Sequence, residues 1–133
     1  MRIMIDANVV VSAFITPNAT VANIVKFIKK NHTLVISQYA IDEVIDTFAR
    51  KFPSKLIEII DDIDKLPNEI VDFKFIDKDK YPIINDPKDL PILAAAIESK
   101  VDILITGDPH FDVVKISKPR IMKPRQFQDE YMK

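Results

Sequence analysis

Two hydrophobic rhythms alternate along the chain. Short apolar runs, Arg2–Ile5, Leu34–Ile36, Ile70–Ile76, Ile103–Ile105 and Arg120–Met122, read as strands. Between them apolar positions recur at helical spacing over Val9–Phe14, Val21–Lys30, Gln38–Lys51, Leu56–Leu66, Leu90–Ser99 and Pro124–Met132. In the third of these, Ile41, Val44, Ile45 and Phe48 share one face, and Ser37 stands before it as an N-cap. Thr16-Pro17-Asn18 separates the first two helices, with Thr20 or Asn18 capping the second, and Pro53-Ser54 ends the third. Leu90–Ser99 (LPILAAAIES) is largely apolar, so burial on more than one face is expected. Residues 77–88, rich in Pro, Asp and Lys, read as loop.

Strands separated by helices pair in parallel through right-handed crossovers. The expected fold is α/β: a three-layer α/β/α sandwich with a parallel sheet of about four to five strands. One domain is expected over residues 1–133, with no internal repeat or linker. In such sheets ligands bind outside the carboxyl ends of the strands.

Composition narrows the chemistry. Hydrophobic residues make up 47% and charged residues 29%, a globular balance. The absence of Cys excludes disulfides, thiolate nucleophiles and Cys-based zinc sites. A single glycine, Gly107, excludes a P-loop and the dinucleotide fingerprint, whose several glycines let backbone approach phosphate. His32 and His110 are too few for a His-rich metal site; His32 reads as a surface loop residue, and His110 reads as an ordinary loop residue in preference to a group that contacts substrate or transfers a proton. Tyr39, Phe48 and Phe52 fit core or interface packing better than base stacking. No apolar run approaches the ~20 residues that span a bilayer, and an acid at position 6 argues against a secretory signal. The simplest expectation is a soluble cytoplasmic protein without membrane contact.

Charge is uneven although the net is −1. Residues 57–79 hold eight acids against three Lys, whereas 113–128 hold Lys115, Lys118, Arg120, Lys123 and Arg125 and no acid. The basic stretch reads either as a solvated edge or as a patch for a phosphate backbone.

The 20 acids include 15 Asp, a residue common in turns and caps and also a short ligand for hard cations. Asp6 ends the first strand (IMIDAN) and Asp108 closely follows the fourth (ILITGD), so a parallel sheet brings both to one edge. Glu43 lies in the first turns of the helix after strand two, which starts from the same edge. It is preferred to Asp42, which shares a solvated side with Asp46. Asp86 and Asp89 precede the apolar helix, and either could cap it; with Asp89 as the cap, Pro91 falls in the first turn. Singly, each acid has a bland reading as a turn former, a cap or a charge favoured by the helix dipole. Gathered, they do not. Four carboxylates at ~6 Å spacing in an effective dielectric near 20 repel by about 2.8 kcal/mol per pair, roughly 17 kcal/mol over six pairs. Protonation relieves such crowding, and so does a hard divalent cation such as Mg²⁺ or Mn²⁺.

At these residues the chain resembles the PIN-domain family of metal-dependent ribonucleases. The likeness runs through MIDANVVVSA, SQYAIDEVIDTFAR, NDPKDLPILAAAIES, VDILITGDPHF and KPRIMKPRQF, in that order and nearly end to end. Each motif is degenerate alone; their order and spacing are specific. The resemblance implies endoribonuclease activity by metal-assisted hydrolysis, with Asp6, Glu43, Asp89 and Asp108 as catalytic acids and ligands of Mg²⁺ or Mn²⁺. It implies supporting roles for Asn8, Asp86 and Thr106. Ala7 stands where the family often has Thr, and His110 where many members carry a further acid, with Asp112 a possible substitute for it. The resemblance also implies an RNA substrate and, as in VapC-like toxins of toxin–antitoxin pairs, a small antitoxin partner and a homodimer.

Two other readings compete. A catalytically inactive PIN-like scaffold or RNA-binding module would keep the acids for structure. A haloacid-dehalogenase-type phosphatase also starts from an Asp after strand one, but it needs a second Asp two residues on, where this chain has Asn8.

Overall fold

In the computed structural model, which describes residues 1–17, 19–73, 77–84 and 86–133, short strands build a parallel sheet. They are β1 (Arg2–Ile5), β2 (Thr33–Ser37), β3 (Glu69–Val71), β4 (Ile103–Ile105) and β5 (Arg120–Met122), ordered β3-β2-β1-β4-β5. Ile3 pairs with Leu34 on one side and Ile103 on the other, and Ile5 lies beside Ile105. A central parallel strand is covered on both faces, so it must be apolar throughout. Ile3–Ile5, Leu34–Ile36 and Ile103–Ile105 are accordingly all buried. The edge strands β3 and β5 are only partly so.

The helices are α1 (Ala7–Ile15), α2 (Thr20–Asn31), α3 (Gln38–Lys51), α4 (Leu56–Ile63), α5 (Leu90–Glu98) and α6 (Pro124–Tyr131). The steps β1→β2→β3 run towards one edge, and the step from β3 to β4 returns across the sheet. Right-handed crossovers therefore put α1–α4 on one face and α5 on the other. This is the three-layer sandwich expected from the sequence. Along α5, Ile92–Ala96 are all buried, as a helix apolar nearly all round requires. Phe127 of α6 is fully buried and meets Phe27 of α2 edge-on at 6.2 Å, which seats the C-terminal helix. Among the described residues no single helix is long and apolar enough to cross a membrane.

The expected boundaries shift where local hydrogen bonding overrides periodicity. α1 begins directly after Asp6, because that side chain caps it. Ser37 caps α3 as expected, its Oγ accepting from the Ala40 N–H at 3.1 Å. Thr20 is the first residue of α2 and not its cap; Asn18, the other candidate, lies outside the described residues. The third strand is shorter than Ile70–Ile76, and residues 74–76 of that expectation also fall outside the described set.

The amino edge of the sheet is held by charge pairing. The Arg2 guanidinium takes Glu69 in a two-pronged contact and reaches the Ser99 carbonyl at 3.1 Å. Its backbone N–H donates to Asp102 at 2.8 Å. The hydrogen bond from Arg2 holds the Glu69 carboxyl below its ordinary value. A depressed carboxyl adds stability at neutral pH that is lost as pH falls through the folded-state value. Both partners remain about one-third exposed, so Glu69→Gln should cost only about 0.5–1 kcal/mol in urea unfolding at pH 7, and the gap should close in acid. A difference that persists unchanged at low pH would show that the pair contributes nothing.

Candidate active site

The carboxyl ends of β1, β2 and β4 deliver their following residues to one place. Asp6, straight after β1, is 5% exposed. Its Oδ1 accepts from the Val9 N–H at 3.1 Å, and its Oδ2 accepts from the Thr106 hydroxyl. Thr106 follows β4, and its Oγ also accepts from the Asp108 N–H at 3.1 Å. One hydroxyl thus ties the acid after β1 to the acid after β4. Asp108 Oδ1 accepts in turn from the His110 N–H at 2.9 Å, closing a tight turn.

From the other direction come Asp86 and Asp89. The sequence left open which of them caps the helix. Asp86 caps, accepting from the Lys88 N–H at 3.0 Å at the start of a short 3-10 turn. Asp89 occupies the N-cap position of α5 with no side-chain cap bond. Its Oδ2 instead lies 3.0 Å from His110 Nδ1. The same imidazole nitrogen is 3.3 Å from Asp108 and 3.9 Å from Asp86. His110, which the sequence read as an ordinary loop side chain, is therefore inside the acid cluster. Its spacing of two from Asp108, where many PIN domains carry an acid, was the one signal for it.

Glu43 is on α3, whose first turn is tied to the same region by Tyr39, its hydroxyl donating to the Lys88 carbonyl at 3.2 Å. Tyr39 is partly exposed, whereas Phe48 is fully buried as expected. Asp42 and Asp46 are engaged elsewhere on the solvated side, with Gln38 and Arg50. Asn8 is exposed in the first turn of α1, without a hydrogen bond to the carboxylates among the described residues. Asp112 lies 3.8 Å from Lys123 and shares with Asp108 the wall of a neighbouring cavity.

Electrostatics expresses the crowding. Burial raises the Asp6 carboxyl above its ordinary value; the Thr106 and Val9 bonds oppose the shift, and Asp108 and Asp89 add to it. Desolvation also raises Asp89, with Asp108 and Asp86 adding and His110 opposing. Glu43 is raised by partial desolvation and then by Asp6 and Asp89. The four principal acids thus lie within one another's fields. His110 moves up as well, first through its bond to Asp89.

A sequence pattern for the PIN domain matches residues 2–110. This chain belongs to the PIN-domain family.

Among solved structures, the PIN domain described here is similar to a chain of VapBC2 from Rickettsia felis bound to a DNA fragment from its promoter. The TM-score is 0.69 at 20% identity, over 92% of this chain and 97% of that one. It is similar also to a chain of DNA-bound VapBC from Salmonella typhimurium, with TM-score 0.68 at 14% identity over 93% and 98% of the two chains. At these identities the likeness is one of fold. No curated protein sequence matches the chain.

The donors fit a hard divalent cation. Asp86, Asp89 and His110 each offer a ligand atom, all within 4.8 Å of one another, and Asp108 adjoins them. Carboxylate oxygens suit Mg²⁺ and Mn²⁺ alike. Thr106 is the hinge of the arrangement in this PIN domain. Thr106→Val keeps the shape but leaves Asp6 Oδ2 without its donor and the Asp108 N–H without its acceptor. Thermal or urea unfolding should show a loss of about 1–2 kcal/mol. Thr106→Ser should recover most of it, and equal losses in both variants would deny the hydroxyl this role.

Proposed function

We propose that this PIN domain is a metal-dependent endoribonuclease, with Asp6, Glu43, Asp89 and Asp108 as its catalytic acids and Asn8, Asp86 and Thr106 in support. The observation that carries the reading is the gathering of carboxylates from four separate chain segments at one sheet edge. Burial, with neighbouring acids adding to it, raises the proton affinity of Asp6, Glu43 and Asp89, and among the described residues no Lys or Arg is hydrogen-bonded to any of the four. A hard divalent cation relieves such crowding with the acids still charged, where protonation would relieve it only by neutralising them.

Asp6, Asp89 and Asp108, with Glu43, would hold Mg²⁺ or Mn²⁺, which would supply charge against a phosphodiester and make water more acidic. The chain supplies the rest. Thr106 and the Val9 N–H fix the Asp6 carboxylate so that it faces the cluster without reorganising. The Asp108 turn holds its carboxylate beside that of Asp89. Glu43, the most exposed of the four, is placed to accept a proton from an attacking water, its raised proton affinity improving it as a base. His110 can donate a proton or a hydrogen bond to the phosphate or the leaving oxygen.

A role as the toxin of a toxin–antitoxin pair, with a small antitoxin and a homodimer as partner states, is part of the same proposal. Its support is the fold shared with VapBC chains and the apolar surface on α4, where Ile57 is 80% exposed. The test of the chemistry is incubation of purified protein with structured and single-stranded RNA in Mg²⁺, Mn²⁺ or EDTA. Internal cleavage is expected with either metal and none with EDTA. Cleavage that survives EDTA, or no cleavage under any condition, sinks the proposal and favours the RNA-binding alternative.

A further inference from the structure

Beside the acid cluster the surface opens into a cavity of about 480 Å³, between the 109–116 segment, β5 and the start of α6. Thr106 and Asp108 are part of its wall, so it is continuous with the carboxylates. Phe111, Ile116 and Ile121 give it an apolar lining. Exposed Lys123, Arg125 and Gln126 add two cations and an amide, with Asp112 beside Lys123 on the same wall. The volume is that of a pocket for a small organic group and far exceeds what an ion needs.

A phosphodiester held at the acids carries a nucleoside on either side, and each must lie on neighbouring surface. We propose that this cavity is a nucleotide subsite for single-stranded RNA. It takes the base next to the scissile phosphate against Phe111, Ile116 and Ile121, and the adjoining phosphate at Lys123 and Arg125. The inference rests on the ribonuclease reading above and extends it to what flanks the cut. Both cations are available. Lys123 lies 3.8 Å from Asp112 and Arg125 3.5 Å from Asp129, and both pairs are solvent-exposed and hold weakly. Gln126 accepts from the Lys123 N–H through its side-chain oxygen at 2.8 Å, leaving its NH₂ group to donate to a base edge. Charge selects the occupant. A basic peptide drawn to the carboxylates would meet Lys123 and Arg125 on the way, whereas a polyanion gains from them. The bases accepted at this slot would then set part of the cleavage preference.

The experiment measures binding apart from cleavage. A fluorescent single-stranded oligoribonucleotide is titrated by anisotropy in EDTA over a salt series, and the same preparations are assayed for cleavage with Mn²⁺. Lys123→Ala/Arg125→Ala should weaken binding about tenfold and make the plot of log affinity against log salt shallower by about 0.7, the value for one phosphate no longer neutralised on a single strand. Ile116→Trp, which fills the slot but keeps the cations, should weaken binding with no change of slope. If that variant fails to fold, the exposed double variant still decides. Affinity within twofold of wild type, an unchanged slope in the double variant, or no RNA binding by the wild type overturns the subsite. So does loss of binding to a small partner protein with RNA affinity intact. Wild type that binds RNA in this variant-sensitive way yet never cleaves it sinks the catalytic reading and keeps the subsite; cleavage with variant-insensitive binding does the reverse.

Discussion

Asp108→Asn is expected to lower RNA cleavage by about a thousandfold, equivalent to about 4 kcal/mol of transition-state stabilisation. The substitution is close to isosteric, and Asn can still accept the His110 N–H bond that shapes the turn. Fold and melting temperature in EDTA should therefore stay near wild type while kcat falls. What disappears is one negative oxygen beside Asp89 and Asp6, the ligand charge on which a cation depends. Single-turnover cleavage with Mn²⁺ checks it. Activity within tenfold of wild type would show that the chemistry does not pass through this carboxylate.

Asp6→Asn should act on stability in opposite senses with and without metal. Burial raises the Asp6 carboxyl, so the charged form costs the folded state free energy. The folded protein holds the Asp6 proton at pH values where the unfolded chain has released it. Stability therefore falls as pH rises through the window between the unfolded-state value and the raised folded one. At pH 7 in EDTA the neutral variant should be more stable than wild type by about 0.5–2 kcal/mol. With a divalent ion at a hundred times its dissociation constant, wild type should gain about 2.7 kcal/mol and the variant far less. Melting curves in EDTA and in Mn²⁺ test both halves. Equal metal-induced shifts, or a variant less stable than wild type in EDTA, would mean that Asp6 is a structural cap and no more.

The two edges of the sheet put the same residue types to opposite use. At the amino edge Asp102 and Glu69 are each satisfied by Arg2, and both carboxyls are lowered. At the carboxyl edge Asp6 and Asp89 are raised, their partners being a hydroxyl, a backbone N–H and one imidazole. That contrast separates acids that hold the fold from acids that strain it.

Much of this was legible in the chain. Central parallel strands must be continuously apolar, so RIMI, LVIS and ILI announced themselves, and parallel pairing then dictated that Asp6 and Asp108 share an edge. What escaped depended on conformation within loops. The turn at residues 87–89 hands the capping role to Asp86 and frees Asp89, which spacing alone could not assign. His110 enters the cluster because the Asp108 turn folds back on itself, a matter of a few dihedral angles. The basic stretch at 113–128 looked unopposed only because its acids come from elsewhere: Asp102, Glu130, Asp112 and Asp129 lie against Lys118, Arg120, Lys123 and Arg125.

The pairing of β1 with β4 sets a timetable. Asp6 leaves the ribosome well before the neighbour that locks it, Thr106, which follows a strand made about a hundred residues later. A nascent chain can dock β2 on β1 and stack its early helices long before β4 exists. Throughout that interval the edge where the acids belong lacks Asp108 and the Thr106 hydroxyl that ties it to Asp6. The acid cluster thus stays incomplete during synthesis and forms only when β4 pairs with β1.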